Sequence, residues 1–206
     1  MKVLLVNGSP HEKGCTYTAL AEVAATLNAE GVETEIFWIG NKPIGGCIAC
    51  GGCRTLGKCV FDDAVNVFRE KCKDADGFVF GSPVHYAAAS GNMTAFMDRL
   101  FYASRDIFYL KPAAAVVSAR RAGTTATFDQ LIKYFTINEM SVVSSRYWNM
   151  VHGNTPEQVM EDKEGLQTMR ILGCNMAYML RCFAAGKEAG VPLPEREPRV
   201  ATNFIR

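Results

Sequence analysis

The stretch KVLLVNGSPHEKGCTYTALAEVAATL, residues 2–27, joins two periodicities through a polar bend. KVLLV is a short unbroken apolar run, the pattern of a strand buried on both faces. Beyond the bend, Leu20, Val23, Ala24 and Leu27 recur at helical spacing. The same unit repeats along the chain. ETEIFWI and GFVFGSP read as a second and third strand. Met93, Phe96, Met97, Leu100 and Phe101 then form one apolar helical stripe. AAAVVSA reads as a fourth strand, TFDQLIKYF as a helix and MSVVSS as a fifth strand. DAVNVFREKC reads as a helix capped by Asp62 or Asp63. A last long helix is predicted from about Pro156 to about Gly186. Strands alternating with helices predict an α/β fold, a doubly wound parallel sheet, because right-handed crossovers lay each helix against a face.

With 206 residues and no low-complexity segment or charged linker, the chain reads as a single domain over 1–206. A cysteine-rich loop is inserted at 43–62. Twenty-two basic and 21 acidic residues leave a net charge of +1, so nothing marks an electrostatic footprint for nucleic acid or an anionic membrane. The apolar core of MKVLLVNGSP is too short for a signal peptide, and no run approaches the ~20 apolar residues of a membrane helix. A cytoplasmic protein without nucleic-acid or membrane partners is expected. In reducing cytosol its eight cysteines point to metal or redox chemistry over a disulfide framework.

In doubly wound sheets ligands collect beyond the carboxyl ends of the strands. NGSPHEKGCT leads from the first strand into a helix, where N–H groups and the positive end of the helix dipole suit a phosphate. Gly8 and Gly14 are too far apart for a Walker loop, Cys15 stands where its lysine belongs, and there is no GxGxxG, so triphosphate and dinucleotide readings lose their main support. Ser9, Thr16 and Thr18 offer hydroxyls to a phosphate, or alternatively cap the first helix. GSPVHYAAASGNM presents His85 and Tyr86 beside three alanines, an edge for a flat aromatic ligand. The alternatives are a packed tyrosine and a solvated histidine.

Within GGCIACGGCRTLGKC, residues 45–59, Cys47, Cys50, Cys53 and Cys59 have the spacing C-x2-C-x2-C-x5-C. Three thiolates two residues apart can wrap one face of a cubane and a fourth can close it, whereas zinc usually takes two separated pairs. Zinc or reduced free thiols remain the alternatives. The interleaved glycines let the backbone curl and aim N–H groups at sulfur.

GSP with GCT at the first strand–helix junction, together with GSPVHYAAASGNMTAFMDR after the third strand, resembles the flavodoxin-like NAD(P)H-dependent FMN reductases over residues 1–145. The cysteine loop narrows the resemblance to the iron-sulfur flavoprotein group. The resemblance implies a five-stranded sheet in the order 2-1-3-4-5 and FMN as cofactor. It places Ser9, Pro10, Gly14, Cys15, Thr16, Tyr17 and Thr18 at the phosphate, and Pro83, Val84, His85 and Tyr86 along the isoalloxazine. Ser118, Arg121 and Gly123, in SARRAGTT, come toward the flavin edge, where a guanidinium favours anionic reduced flavin; two solvated loop arginines are the alternative. The flavin carries the chemistry, so no side chain is assigned as catalytic. A [4Fe–4S] cluster on the four spaced cysteines would relay electrons from NAD(P)H or a ferredoxin-like protein to a small-molecule or protein acceptor. The rivals are a cluster-free FMN or quinone reductase, a non-catalytic electron carrier and a redox sensor. Relatives usually carry Asn or Ser in place of Cys15. A thiol at a helix N-terminus ionises more easily, which makes Cys15 either an oxidation site or a small packing residue.

Cys72, Cys174 and Cys182 read as packing residues, the last two sharing one helical face. Asp98 and Arg99 read as structural or interface ion pairs. Tyr102, Phe108 and Tyr109 exceed what one core stripe needs and are expected at the contact of a homodimer or homotetramer. Trp148 and His152 are candidates for a lid over the flavin.

Overall fold

The computed structural model describes residues 1–198 and 200–202; the domain expected over 1–206 extends outside the described residues at 199 and 203–206. The chain opens with β1 (Lys2–Asn7), α1 (Cys15–Ala29) and β2 (Glu33–Trp38). The cysteine segment follows, containing one helical turn, α2 (Cys53–Leu56), and leads into α3 (Ala64–Cys72). Next come β3 (Gly77–His85), the short β4 (Ala88–Ala89), α4 (Gly91–Ala103) and α5 (Arg105–Phe108). β5 (Pro112–Ala119), α6 (Thr124–Ile137), β6 (Ser141–Val142) and β7 (Met150–His152) complete the sheet, and α7 (Pro156–Glu161) and α8 (Lys163–Glu188) end the fold.

Alternation along β1 sends its side chains to two cores. Val3 and Leu5 pack with residues of α1 and α8, while Leu4 and Val6 pack with residues of α3, α4 and α6. This is why the strand shows no polar position from Val3 to Val6: both faces are covered. The main path runs β2-β1-β3-β5-β6 with parallel pairing throughout, which is the expected 2-1-3-4-5 arrangement. Small residues set the spacing of the layers. A Cβ on Gly173 of α8 would lie 2.7 Å from Thr26 Cβ of α1, so glycine lets these two helices meet closely.

Three details depart from the sequence reading. The fifth strand is split: β6 pairs with the start of β5 at Pro112 and Ala113, and β7 pairs with its end at Val117 to Ala119. Between them the chain bulges through Asn149, whose carbonyl accepts from Val117 N at 2.9 Å. The single last helix is two, broken at Asp162, whose carboxylate accepts from Gly165 N to cap α8 and from His152 N at 2.7 Å. Cys174 and Cys182 are exposed, because α8 turns Leu172, Met176 and Leu180 inward instead. Cys72 is buried as expected, and burial pushes its thiol far above the usual range.

β3 and β4 form a hairpin with Val84 opposite Ala89 and His85 opposite Ala88. Its two tip residues, Tyr86 (φ 51°) and Ala87 (φ 59°), both lie in the left-handed region that a type I′ turn requires and that non-glycine residues enter at a cost. The Tyr86 side chain is fully exposed, so removing it forfeits no packing. Tyr86→Gly should therefore stabilise the apoprotein by about 0.5–1 kcal/mol, the αL cost less the extra chain entropy of glycine, raising Tm by roughly 1–4 °C. Differential scanning calorimetry checks this; a lower Tm would show that the ring is held by the fold.

Candidate functional site

The register of the sheet brings its loops to one rim. Asn7 pairs with Gly81, and Pro83 with Ser118, which in turn pairs with Val151. Hydrogen bonds then tie these loops together. Gly8 N donates to Gly81 O (2.8 Å), and Ser90 Oγ donates to Gly8 O (2.7 Å) while accepting from Met93 N to cap α4. A Cβ on Gly8 would lie 2.9 Å from the Gly81 carbonyl oxygen and press on the Met93 side chain, so glycine lets the bend sit this close to β3 and α4.

The polar bend after β1 is built before any ligand arrives. Asn7 accepts from Ser9 N and donates to Glu12 O, His11 N donates to Ser9 Oγ, and Trp38 Nε1 donates to Ser9 O. Ser9 is buried; Pro10 is exposed. Thr16 is buried and its hydroxyl pairs with Ser118 Oγ at 2.8 Å, fastening α1 to the end of β5. Thr18 Oγ1 donates back to Gly14 O, and Tyr17 lies under Lys13 Nζ, 4.0 Å from the ring centroid. None of these hydroxyls caps α1. Gly14 is its N-cap and no side chain among the described residues satisfies the first N–H groups, whereas α3, α4, α7 and α8 are capped by Asp63, Ser90, Thr155 and Asp162. An uncapped helix start at the loop rim leaves donors for an anion.

Cys15 does not behave as a helix-terminal thiol. Desolvation pushes its pKa up, outweighing a backbone hydrogen bond, and the Glu157 charge adds to the rise. Its Sγ donates to Gly153 O at 3.6 Å, joining α1 to the segment after β7. The thiol is therefore a half-buried tie.

Around the hairpin, Pro83 and Val84 are half-buried and His85 and Tyr86 exposed. Gly123 (φ +92°) sits so close to the hairpin that a Cβ would meet Ala87 Cα and Val84 Cγ1 at 2.9 Å, and Ala89 N donates to Gln130 Oε1 of α6. Gly123 thus positions the hairpin through backbone approach. Arg120 and Arg121 are both exposed beyond β5. Trp148 is half-exposed, packed edge-on against Tyr147, and His152 lies 3.8 Å from Asp162.

The cysteine segment leaves the rim and runs along α4. Ile44 N donates to Asn92 Oδ1 near the start of that helix, and Asn92 Nδ2 donates to Lys42 O. Cys47, Cys50, Cys53 and Cys59 then line one cavity of about 620 Å³ together with Arg54, Arg99 and Tyr102. Seven residues of α4, about 10 Å of helix axis, separate Asn92 from Arg99, so the thiols flank the rim two helical turns down. All four are free thiols, and among the described residues no three His, Cys, Asp or Glu side chains converge as a metal site.

Two polar residues that the sequence reading did not assign to this site hold it. Arg99 is fully buried and donates from Nε to Cys59 Sγ at 3.2 Å while forking onto the Asp63 carboxylate. Asn66 of α3, also buried, brackets Cys59 through both its backbone N–H and its carbonyl. Asp98 instead accepts from Tyr134 Oη at 2.5 Å, a purely structural contact. Of the aromatics expected at a subunit contact, Phe108 is buried between Phe78 and Phe101, and Tyr109 lies under the Arg196 guanidinium. Tyr102 remains exposed.

Comparison with known proteins agrees with this geometry. Residues 1–155 match the family described as NADPH-dependent FMN reductase. An iron-sulfur flavoprotein of Methanocaldococcus jannaschii is 33% identical over 193 residues, covering 88% of this chain and 98% of the relative. RosB, solved with bound 8-demethyl-8-formylriboflavin-5'-phosphate, shares the fold with a TM-score of 0.69 at 15% identity, over 100% of this chain and 94% of its own. A flavodoxin from the domain Archaea does so with a TM-score of 0.62 at 16% identity, over 88% and 99%. On a flavodoxin-like scaffold with its anion-receptive bend intact, the chain belongs to the NADPH-dependent FMN reductase family and is a flavin-dependent oxidoreductase.

Proposed function

We propose that the chain binds FMN at the rim between the bend after β1, the β3–β4 hairpin and the end of β5, carries a [4Fe–4S] cluster on Cys47, Cys50, Cys53 and Cys59, and passes electrons between a reduced donor and an acceptor. The observation that carries this reading is that α4 serves both places: its start is tied to the bend after β1 through Ser90 and Gly8, and two turns further on its Arg99 and Tyr102 line the cavity of the four free thiols. The donor sets fit the two groups: backbone N–H groups with a positive helix end for a phosphate, and all-sulfur ligands for iron. When bound, FMN supplies hydride and single-electron chemistry, and an iron-sulfur cluster supplies single-electron storage.

The side chains then have separable tasks. N–H groups of Cys15, Thr16 and Tyr17 take the phosphate, with the Ser9 hydroxyl beside them. Thr16 and Ser118 hold α1 and β5 at fixed separation across the pocket floor. Pro83 and Val84 offer an apolar edge to the ring system, and the exposed Tyr86 and Arg121 lie at its margin. NAD(P)H or a ferredoxin-like protein serves as donor. The exposed Ile48, Leu56 and Tyr102 around the thiols support assembly into a dimer or tetramer.

If the phosphate is held at α1, FMN should bind about 100-fold more tightly than riboflavin, since charge-assisted hydrogen bonds and the helix dipole together are worth about 2–3 kcal/mol. Flavin fluorescence titration of the apoprotein measures both; equal affinities would remove the phosphate from the bend. After anaerobic purification and reconstitution, about four iron and four sulfide per chain are expected. Cys50→Ala should abolish the iron while leaving FMN stoichiometry unchanged, because the cysteine segment contributes little to the two cores. Full flavin with no iron in the wild type would leave a cluster-free reductase as the function.

A further inference from the structure

Arg99 has five N–H donors, and all five find acceptors within the cysteine segment and its exit. Nε donates to Cys59 Sγ (3.2 Å), Nη1 to Gly45 O (3.2 Å) and Asp63 Oδ2 (2.6 Å), and Nη2 to Phe61 O (3.2 Å) and Asp63 Oδ1 (2.9 Å). One guanidinium, fixed on α4 and fully buried, therefore grips the start of the segment at Gly45, its end at Phe61 and a sulfur between them. Neutralising Asp63 would need only the two forked bonds. The other three are spent on the segment itself.

The four thiols are correspondingly unequal. Asn66 holds the Cys59 backbone (Cys59 N to Oδ1 3.0 Å, Nδ2 to Cys59 O 2.9 Å) while Arg99 holds its sulfur. Cys47 and Cys50 are exposed, and Cys53 Sγ makes a long contact of 3.8 Å to Tyr102 O. One ligand is set in place by the fold, and three lie on the glycine-rich part of the loop.

Resting on the proposal that these thiols hold an iron-sulfur cluster, we infer that Arg99 is the positioning residue of that site: it presets Cys59 as the anchoring ligand, and its Nε–H stays on that sulfur after ligation. An N–H donated to a ligating sulfur favours the more electron-rich state and so raises the reduction potential. Lysine at this position keeps a positive charge but has neither the planar fork nor the reach to three carbonyl and sulfur acceptors beside a carboxylate.

The test compares wild type and Arg99→Lys after anaerobic reconstitution with ferrous iron and sulfide. The readouts are FMN content, the rate of iron loss to EDTA and the cluster midpoint potential by redox titration. Arg99→Lys should retain FMN, lose iron about 10-fold faster, as outer-shell changes commonly do, and show a lower potential. A merely structural role would leave the potential unmoved. Wild-type rates and potential in Arg99→Lys overturn the inference. An iron-free wild type overturns the cluster proposal itself, and the inference with it. If Arg99→Lys loses FMN and so has not folded, Asp63→Asn, which keeps the guanidinium but weakens its fork, carries the test. Faster iron loss is expected of it, because a weakened fork loosens the guanidinium that holds Cys59, and wild-type iron loss overturns the inference.

Discussion

A parallel sheet covered on both faces must send every ligand-binding loop out at the same end of its strands, and this molecule depends on how that rim is fastened. β1, β3 and β5 finish at neighbouring levels, with Asn7 opposite Gly81 and Pro83 opposite Ser118. Hydrogen bonds from Gly8 to Gly81, from Ser90 to Gly8 and between Thr16 and Ser118 then lock the loops to one another. Of the hydroxyls that the sequence offers to a phosphate, that of Thr16 is taken up by this fastening and that of Thr18 donates back to Gly14 O. What the rim presents to a ligand is the backbone, and in particular the start of α1, which the chain leaves without a side-chain cap.

β1 and β5 were legible because burial on both sides removes polar interruptions, leaving the runs KVLLV and AAAVVSA. β4, β7 and α2 were not, since two to four residues are too short to show any period. The break at Asp162 was hidden for another reason. Its carboxylate serves Gly165 locally but also His152, ten residues back, and only the second contact explains why the helix stops and restarts there. Cys174 and Cys182 were misread because apolar residues surround α8 on several faces. Which face turns inward is decided by the close passage of Gly173 against Thr26 in α1, a contact with no local signature.

The candidate site divides the same way. Four cysteines in thirteen positions announce themselves through spacing. Arg99 lies forty residues from Cys59, and its adjacency exists only once α4 packs beside the cysteine segment. A signal was nevertheless present. Arg99 sits within the apolar stripe of its helix, between Met97 and Leu100, and Asn66 sits between buried Val65 and Phe68 on α3. Polar residues inside a packed stripe must find partners, and the nearest polar, irregular stretch able to supply them is the cysteine segment.

This division bears on how a metal-binding segment can coexist with a stable fold. Small metal domains fold only with their metal because the ligands are also the core. Here the two apolar cores close without any of the four spaced cysteines, and the segment is held from outside by polar ties to Asn92, Arg99 and Asn66. Polar ties specify position while committing little apolar area, so three thiols can rearrange without disturbing the sheet. Because the same helix that carries Arg99 begins at Ser90, on the rim, any adjustment at one site is referred to a rigid element shared with the other. α4 is therefore the element whose rigidity fixes the separation between the two sites, with buried Ser90 tying its start to the rim and buried Arg99 holding the cysteine segment.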